Sequence, residues 1–185
     1  MPDTTIPAVD EWTRLALAAR SRADAPALEA FVRATQDDVW RLCAHLGDRD
    51  RADDLTQETY LRVLRSLPVF RGDASVRSWL FSIVRRVVAD DISVRRRRRR
   101  HHTDLHGGSV DPTWPDHQGS VTLEHLLGHL DPERRAAFVL TQLLGYSYAE
   151  AAETCGVPVG TIRSRVARAR SVLVALLGDP VGAAR

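Results

Sequence analysis

Lysine is missing from this chain. All 26 basic residues among its 185 are arginine, which excludes a phosphate-cradling loop with its lysine, a Schiff-base lysine and a lysine general base. Cysteine is nearly missing too: Cys43 and Cys155 offer no disulfide framework and fit a reducing cytoplasm. Aromatic residues make up 6%, and no apolar run approaches the ~20 residues of a membrane helix. Met1-Pro2-Asp3 is not a basic start followed by an apolar stretch, so no secretory signal is expected. No large domain is expected after Leu177. Strand-like alternation and repeats at fixed period are lacking as well.

What remains is helical periodicity. Trp12, Leu15 and Ala19 form a weak stripe over residues 9–20. Asp24-Ala-Pro26 reads as a helix start, Leu28 to Leu46 follow at helical spacing, and Gly47-Asp48 ends that helix. The third helix is expected from about Arg51 to Leu67, and the fourth from Val76 to about Val94. Residues 95–119 hold six consecutive arginines, histidines, glycines and prolines, and read as a flexible linker. Periodicity resumes at Val121, and Asp131-Pro132 looks like a second capped start. The expected fold is all-α: two small helical domains, residues 1–97 and 120–185, joined by a flexible basic linker over 98–119.

Charge is unevenly placed. Asp24 to Glu58 holds nine acids against four arginines, and Arg85 to Arg100 eight arginines against two aspartates. Such a division suits two kinds of partner, or two solvated faces. In the second domain, Ser147 to Ile162 has helix-turn-helix spacing, with small Ala151 and Ala152 for close approach and Gly156 for the turn. At 100° per residue Ile162, Val166, Ala169 and Leu173 share one face. Thr161, Ser164, Ala167, Arg168 and Ser171 share the other, flanked by Arg163 and Arg165. Small residues in the middle let such a helix enter a major groove, while the arginines hold phosphates or pair with a guanine.

On the third helix, Asp54, Glu58, Leu61 and Arg65 point away from the apolar face, with Asp53 and Gln57 beside them. An apolar anchor in a polar rim suits protein docking; a solvated face is the alternative. Asp54 and Glu58 lack a third ligand for a metal on that face, and His101, His102 and His106 read as solvated, so neither metal nor cofactor is expected. The outer strip of the fourth helix is Ser78, Ser82, Arg85, Ala89 and Ser93, with Arg86 adjacent, a composition suited to a nucleic-acid backbone. Trp79 is assigned to the core. Phe70 to Ser75 could form a pocket for an unstacked base.

Taken together, Asp53-Asp-Leu-Thr-Gln-Glu-Thr-Tyr-Leu-Arg62, Phe70-Arg-Gly-Asp73 with Trp79-Leu80, and Gly156 to Arg170 resemble regions 2.2, 2.3–2.4 and 4.2 of the sigma-70 family. Their order and spacing are similar to those of its extracytoplasmic-function group. The resemblance implies a promoter-specificity subunit of RNA polymerase with no catalysis of its own. Asp53, Asp54, Gln57, Glu58 and Leu61 would dock on the β′ clamp helices. Phe70, Arg71, Gly72, Asp73, Arg85 and Arg86 would capture the −10 element as single strand. Thr161, Arg163, Ser164, Arg165, Ala167 and Arg168 would read the −35 duplex, with that domain also on the β flap. Arg86 stands where the family often has Asn or His. An anti-sigma protein is a further candidate partner, and the expected location is cytoplasmic, away from membranes. Arg95, Arg96, Arg97, Arg98, Arg99 and Arg100 are read as backbone-binding residues of the linker.

Two other functions remain to be weighed. A stand-alone helix-turn-helix regulator would need a dimerising or sensing N-terminal domain. A nuclease using Asp53, Asp54 and Glu58 would need a metal set or nucleophile that the sequence does not offer. One conformational expectation follows from the charges: across a short linker, the acidic helix and the arginine-rich recognition helix should dock on each other in the free chain.

Overall fold

The computed structural model describes residues 11–21, 24–106 and 123–178, and among them every regular element is helical. The N-terminal domain packs α1 (Glu11–Ala18), α2 (Ala25–Leu46), α3 (Ala52–Ser66) and the first half of α4 (Val76–His106). The Asp24 carboxylate accepts a hydrogen bond from the Ala27 N–H at 3.0 Å, and Pro26 sits in the first turn where its missing N–H costs nothing. Where α2 ends, a Cβ on Gly47 would lie 2.8 Å from the Cys43 carbonyl oxygen and 2.9 Å from Leu55 Cδ1, so the chain passes α3 only with glycine there. Ala52, Leu55, Thr59, Val63 and Leu67 form the buried line, the inward face that helical spacing gives. The hydroxyls of the buried Thr59 and Thr35 are satisfied locally: Thr59 Oγ1 donates to the Leu55 carbonyl at 2.7 Å, and Thr35 Oγ1 donates to that of Phe31 at 2.9 Å. Tyr60, hydrogen-bonded to Thr35 at 2.8 Å, has its hydroxyl pushed up to about 12 by burial.

The fourth helix departs from expectation. It continues through all six arginines to His106, beyond the expected end near Val94. Its 31 residues span roughly 46 Å at 1.5 Å per residue. Arginine is a good helix former, and no glycine or proline intervenes before Gly107. The first arginine of the run is also pinned. Arg95 Nη1 lies 2.6 Å from Asp48 Oδ2 and its Nε 2.9 Å from Asp91 Oδ2, while Arg51 pairs with the same Asp91. The stretch assigned to a flexible linker therefore begins as helix over 98–106. Residues 107–119 of that assignment lie outside the described residues.

The C-terminal domain contains α5 (Leu123–Gly128), α6 (Pro132–Phe138), α7 (Tyr148–Cys155) and α8 (Val159–Gly178). Asp131 caps α6 by accepting from the Glu133 and Arg134 N–H groups at 3.2 and 2.9 Å. The α6 helix then widens into a π-helical stretch, Val139–Leu143. Ser147 and Glu150 form a reciprocal capping box at the start of α7, with bonds of 3.2 and 2.9 Å. Gly156 makes the turn at φ +66°, a left-handed conformation that favours glycine. Ile162, Val166, Ala169 and Leu173 bury one stripe of α8.

The two domains touch, with α7 against α4 and α6 against α2. Arg77 of α4 lies over Trp12 and Tyr146, with centroid distances of 4.8 and 5.0 Å, and reaches Glu150 at 3.4 Å. Arg135 Nε donates to the Leu127 carbonyl at 2.7 Å, and its Nη1 to that of Leu46 at 3.2 Å. This corrects the expectation that the acidic helix and the recognition helix cover each other. Leu61 on one and Arg163, Ser164 and Arg168 on the other are exposed.

Candidate nucleic-acid interface

The structure separates three surfaces. The first is the outer face of α3. Asp53, Asp54, Gln57 and Leu61 are exposed and Glu58 is half-exposed. Asp53 Oδ1 accepts from Trp40 Nε1 at 2.8 Å, and the Arg49 guanidinium lies 5.5 Å above that indole. Glu58 Oε1 accepts from Arg62 Nε at 2.7 Å, and Arg62 also reaches Asp90 of α4 at 2.7 Å. These bonds hold Arg62 charged and fix the Glu58 rotamer. Leu61 is 50% exposed, and Leu64, one turn further along, is exposed beside it. Leu64 and Arg62 belong to this surface although the sequence reading passed over them. The i, i+3 spacing of Leu64 from Leu61 is the signal that could have found the first.

The second surface is built around residues 70–75 and α4. Ser75 starts α4: its Oγ accepts from the Ser78 N–H at 3.3 Å, and Thr13 Oγ1 of α1 accepts from the Val76 N–H at 3.1 Å. Gly72 adopts φ +80°, with Leu17 of α1 close to where a Cβ would stand, so α1 both caps α4 and supports the loop. A surface hollow of about 610 Å³ results, lined by Val69, Phe70, Arg71, Asp73, Trp79 and Ser82 among others. Phe70 is buried and forms the floor, its ring 4.8 Å from that of Trp79. Trp79, expected in the core from its helical phase, packs against the core while half-buried, and its open side lines the hollow. Val69, 73% exposed at the rim, is a further residue the sequence reading missed. Arg71, Asp73, Arg85 and Arg86 are exposed.

The third surface is the outer face of α8. Arg163, Ser164, Ala167, Arg168 and Ser171 are exposed, and Thr161 is half-buried. Ser164 Oγ donates back to the Thr161 carbonyl at 2.9 Å. Among the described residues Arg163 and Arg168 carry no ion pair, whereas Arg165 is turned aside to Glu133 of α6. The arginine assigned to one flank of the reading face is thus occupied within its own domain. The Cys155 thiol, pushed up by burial, lies within the influence of both Arg165 and Arg85. The α7 helix packs against both α4 and α8.

Among the described residues no group of three or more metal-ligating side chains is assembled, and no helix is long and apolar enough to cross a membrane. Chemically, the molecule offers an apolar anchor in an acidic rim, an aromatic-floored hollow with flanking cations, and a helix face of arginine and small polar residues.

Residues 31–100 match the family model for Sigma-70 region 2, and residues 120–173 that for Sigma-70, region 4. The chain is 49% identical over 166 residues to a probable RNA polymerase sigma-C factor of Mycobacterium bovis, covering 88% of this chain and 89% of that one. It is 40% identical over 133 residues to the ECF RNA polymerase sigma factor EcfG of Rhodopseudomonas palustris, covering 71% and 74%. Among solved structures it resembles the sigma factor RpoE in complex with the anti-sigma factor NepR from Bartonella quintana, at TM-score 0.60 and 30% identity, over 83% of this chain and 98% of that one. It also resembles CnrH in complex with the cytosolic domain of CnrY, at TM-score 0.66 and 26% identity, over 92% and 99%. The two-domain helical fold, the helix-turn-helix and both matched regions place the chain in the extracytoplasmic-function group of the sigma-70 family, as an RNA polymerase sigma factor.

Proposed function

We propose that this sigma factor divides its labour among the three surfaces, without catalysis of its own and in the cytoplasm. Asp53, Asp54, Gln57, Glu58 and Leu61, with Leu64, dock on the clamp helices of β′. The hollow floored by Phe70 and walled by Trp79 receives an unstacked base of the −10 element, and Arg71, Arg85 and Arg86 hold its phosphates. Arg163, Ser164, Ala167 and Arg168 read the −35 duplex, and the same domain docks on the β flap. The observation that carries this reading is the contrast between two exposed helix faces: Leu61 in an acidic rim on α3, and unpaired arginines around small residues on α8.

The solved relatives in complex with NepR and CnrY make an anti-sigma protein a candidate partner here, on the same exposed surfaces. The contact of α7 with α4 supports a closed free form. With α7 packed against α4, the helix that carries the −10 strip is partly engaged by the second domain, and promoter capture requires α7 to leave α4. Run-off transcription with core polymerase across a promoter library tests the whole reading. Sequence-selective initiation dependent on both Trp79 and Arg168 is expected. Initiation that ignores either side chain would contradict it.

A further inference from the structure

Two imidazoles meet at the end of the short helix α5. His125 lies within it and His129 just past its end, four positions apart. In a regular helix that spacing puts two side chains on one face, one turn apart. Here the last turn is tightened: the His129 N–H donates to the Leu126 carbonyl at 3.2 Å, and the Leu130 N–H to that of Leu127 at 3.1 Å. Buried Leu127 and Leu130 anchor the segment, and both histidines are exposed. The rings approach edge to face, with centroids 4.9 Å apart and planes at 74°. Their Nε2 atoms lie 3.3 Å apart. Neither histidine belongs to the three surfaces described above.

The geometry points to a binding site for a divalent metal ion of the zinc class, held by Nε2 of His125 and Nε2 of His129. Two nitrogens bonded to one tetrahedral zinc at ~2.0–2.1 Å stand roughly 3.3–3.4 Å apart. The pair already holds that separation, so the ion enters from solvent with no more than a rotation of each ring. The competing arrangement is a hydrogen bond from one Nε2–H to the other Nε2. At 3.3 Å such a bond is long, and it needs the two rings in opposite tautomers. Metal ligation needs the same tautomer in both, with the proton on Nδ1. Imidazole suits zinc, nickel and copper, whereas magnesium and calcium take oxygen ligands. The pair fills two of four positions and water fills the others. Half the free energy of a four-ligand structural zinc site corresponds to a dissociation constant of roughly 1–200 µM. The location gives the site a consequence. Glu124, next to His125, pairs with Arg49 of the first domain at 3.4 Å. The Leu127 carbonyl accepts from Arg135, which also reaches Leu46. A metal across the two histidines therefore clamps the helix that carries this seam between the domains.

The test uses the full chain, free of any affinity tag, with zinc chloride as the probe. Imidazole nitrogen shifts are followed by NMR in wild type, in H129Q and in H102Q/H106Q, which removes another pair of histidines spaced by four. Zinc is expected to shift Nε2 of His125 and His129 together in the micromolar range, with Nδ1 protonated in both rings. In H129Q the His125 response should need roughly a hundredfold more zinc, since one ligand of the pair is gone. H102Q/H106Q should leave both responses at their wild-type midpoint. The thermal transition gives a second readout: saturating zinc should raise it in wild type and in H102Q/H106Q, but not in H129Q. A His125 response in H129Q at the wild-type zinc concentration would overturn the proposal. So would zinc shifts at Nδ1, no response of either histidine at millimolar zinc, or an equal thermal gain in H129Q.

Discussion

The third and eighth helices are built alike on the inside and opposed on the outside. Each buries a regular, largely apolar line, Ala52 to Val63 in one and Ile162 to Leu173 in the other. Outside, α3 presents leucines within a rim of acids, and α8 presents arginines with alanine and serine between them. The comparison teaches that the inner line sets where a helix sits, while the outer line is free to specify what it meets. It also shows that a charge count is a poor guide to a working charge. Arg62 and Arg165 sit on these two helices, yet both are engaged within the protein, by Glu58 with Asp90 and by Glu133. Arg163 and Arg168 carry no ion pair among the described residues and are exposed.

The sharpest way to break the comparison is to give α3 the wrong centre. Leu61→Asp puts a carboxylate where an apolar anchor must be desolvated, and core polymerase affinity should fall roughly a hundredfold or more. The thermal transition should hardly move, because Leu61 is half-exposed. Core affinity near wild type would remove α3 from the docking role.

On α8 the expected effect is smaller and different in kind. Arg168→Ala should cost about 1–3 kcal/mol of promoter binding and relax preference at one −35 position, if the guanidinium reads a base. Arg165→Ala should leave that preference intact, since its partner is Glu133. A promoter-library profile for the two variants checks both statements. Indistinguishable profiles would mean that ion pairing in the free chain does not predict which arginine reads DNA.

The contact between the domains gives the third variant. Arg135→Ala leaves the Leu46 carbonyl of the other domain without its guanidinium and should weaken the closed form by about 1.5–3 kcal/mol. Small-angle scattering should show expansion of the variant. Wild type should stay compact from low to high salt, because buried apolar residues of both domains form one continuous cluster. Expansion of wild type by salt alone would mean that charge, and not packing, holds the domains together.

The smallest effect concerns the capping box. Hydrogen bonds from the Ser147 backbone and side chain hold the Glu150 carboxyl below its ordinary 4.5. Its contribution is therefore fully present above the unfolded value and is lost as pH falls through the folded one. Stability of wild type and Glu150→Gln, followed from pH 6 downward, should differ most at the upper end and converge on acidification. A constant difference would place the effect in the neutral hydrogen bond.

Much of this was legible in the sequence, for a physical reason. The buried lines of α3 and α8, the caps at Asp24 and Asp131, and the turn at Gly156 depend on residues within a few positions of one another, and local chemistry decides them. What escaped depends on distant partners. The end of α4 was misplaced because a run of like charges looks like an unstructured tether. Its first turn is held by Asp48, which lies 47 residues away in sequence. Arg165 looked free because Glu133 is 32 residues away. Trp79 does pack against the core, but helical phase alone does not show that it also lines the hollow beside residues 70–75.

The division between a protein-docking face and a DNA-reading face is tested most directly by hydroxyl-radical footprinting of the factor alone, with core polymerase, and with core polymerase plus promoter. The account predicts that Leu61 and Leu64 become protected when core is added, before any DNA is present, and that Arg163, Ser164 and Arg168 become protected only with promoter. Protection of Leu61 and Leu64 that waits for DNA, or protection of the α8 face by core alone, would contradict it.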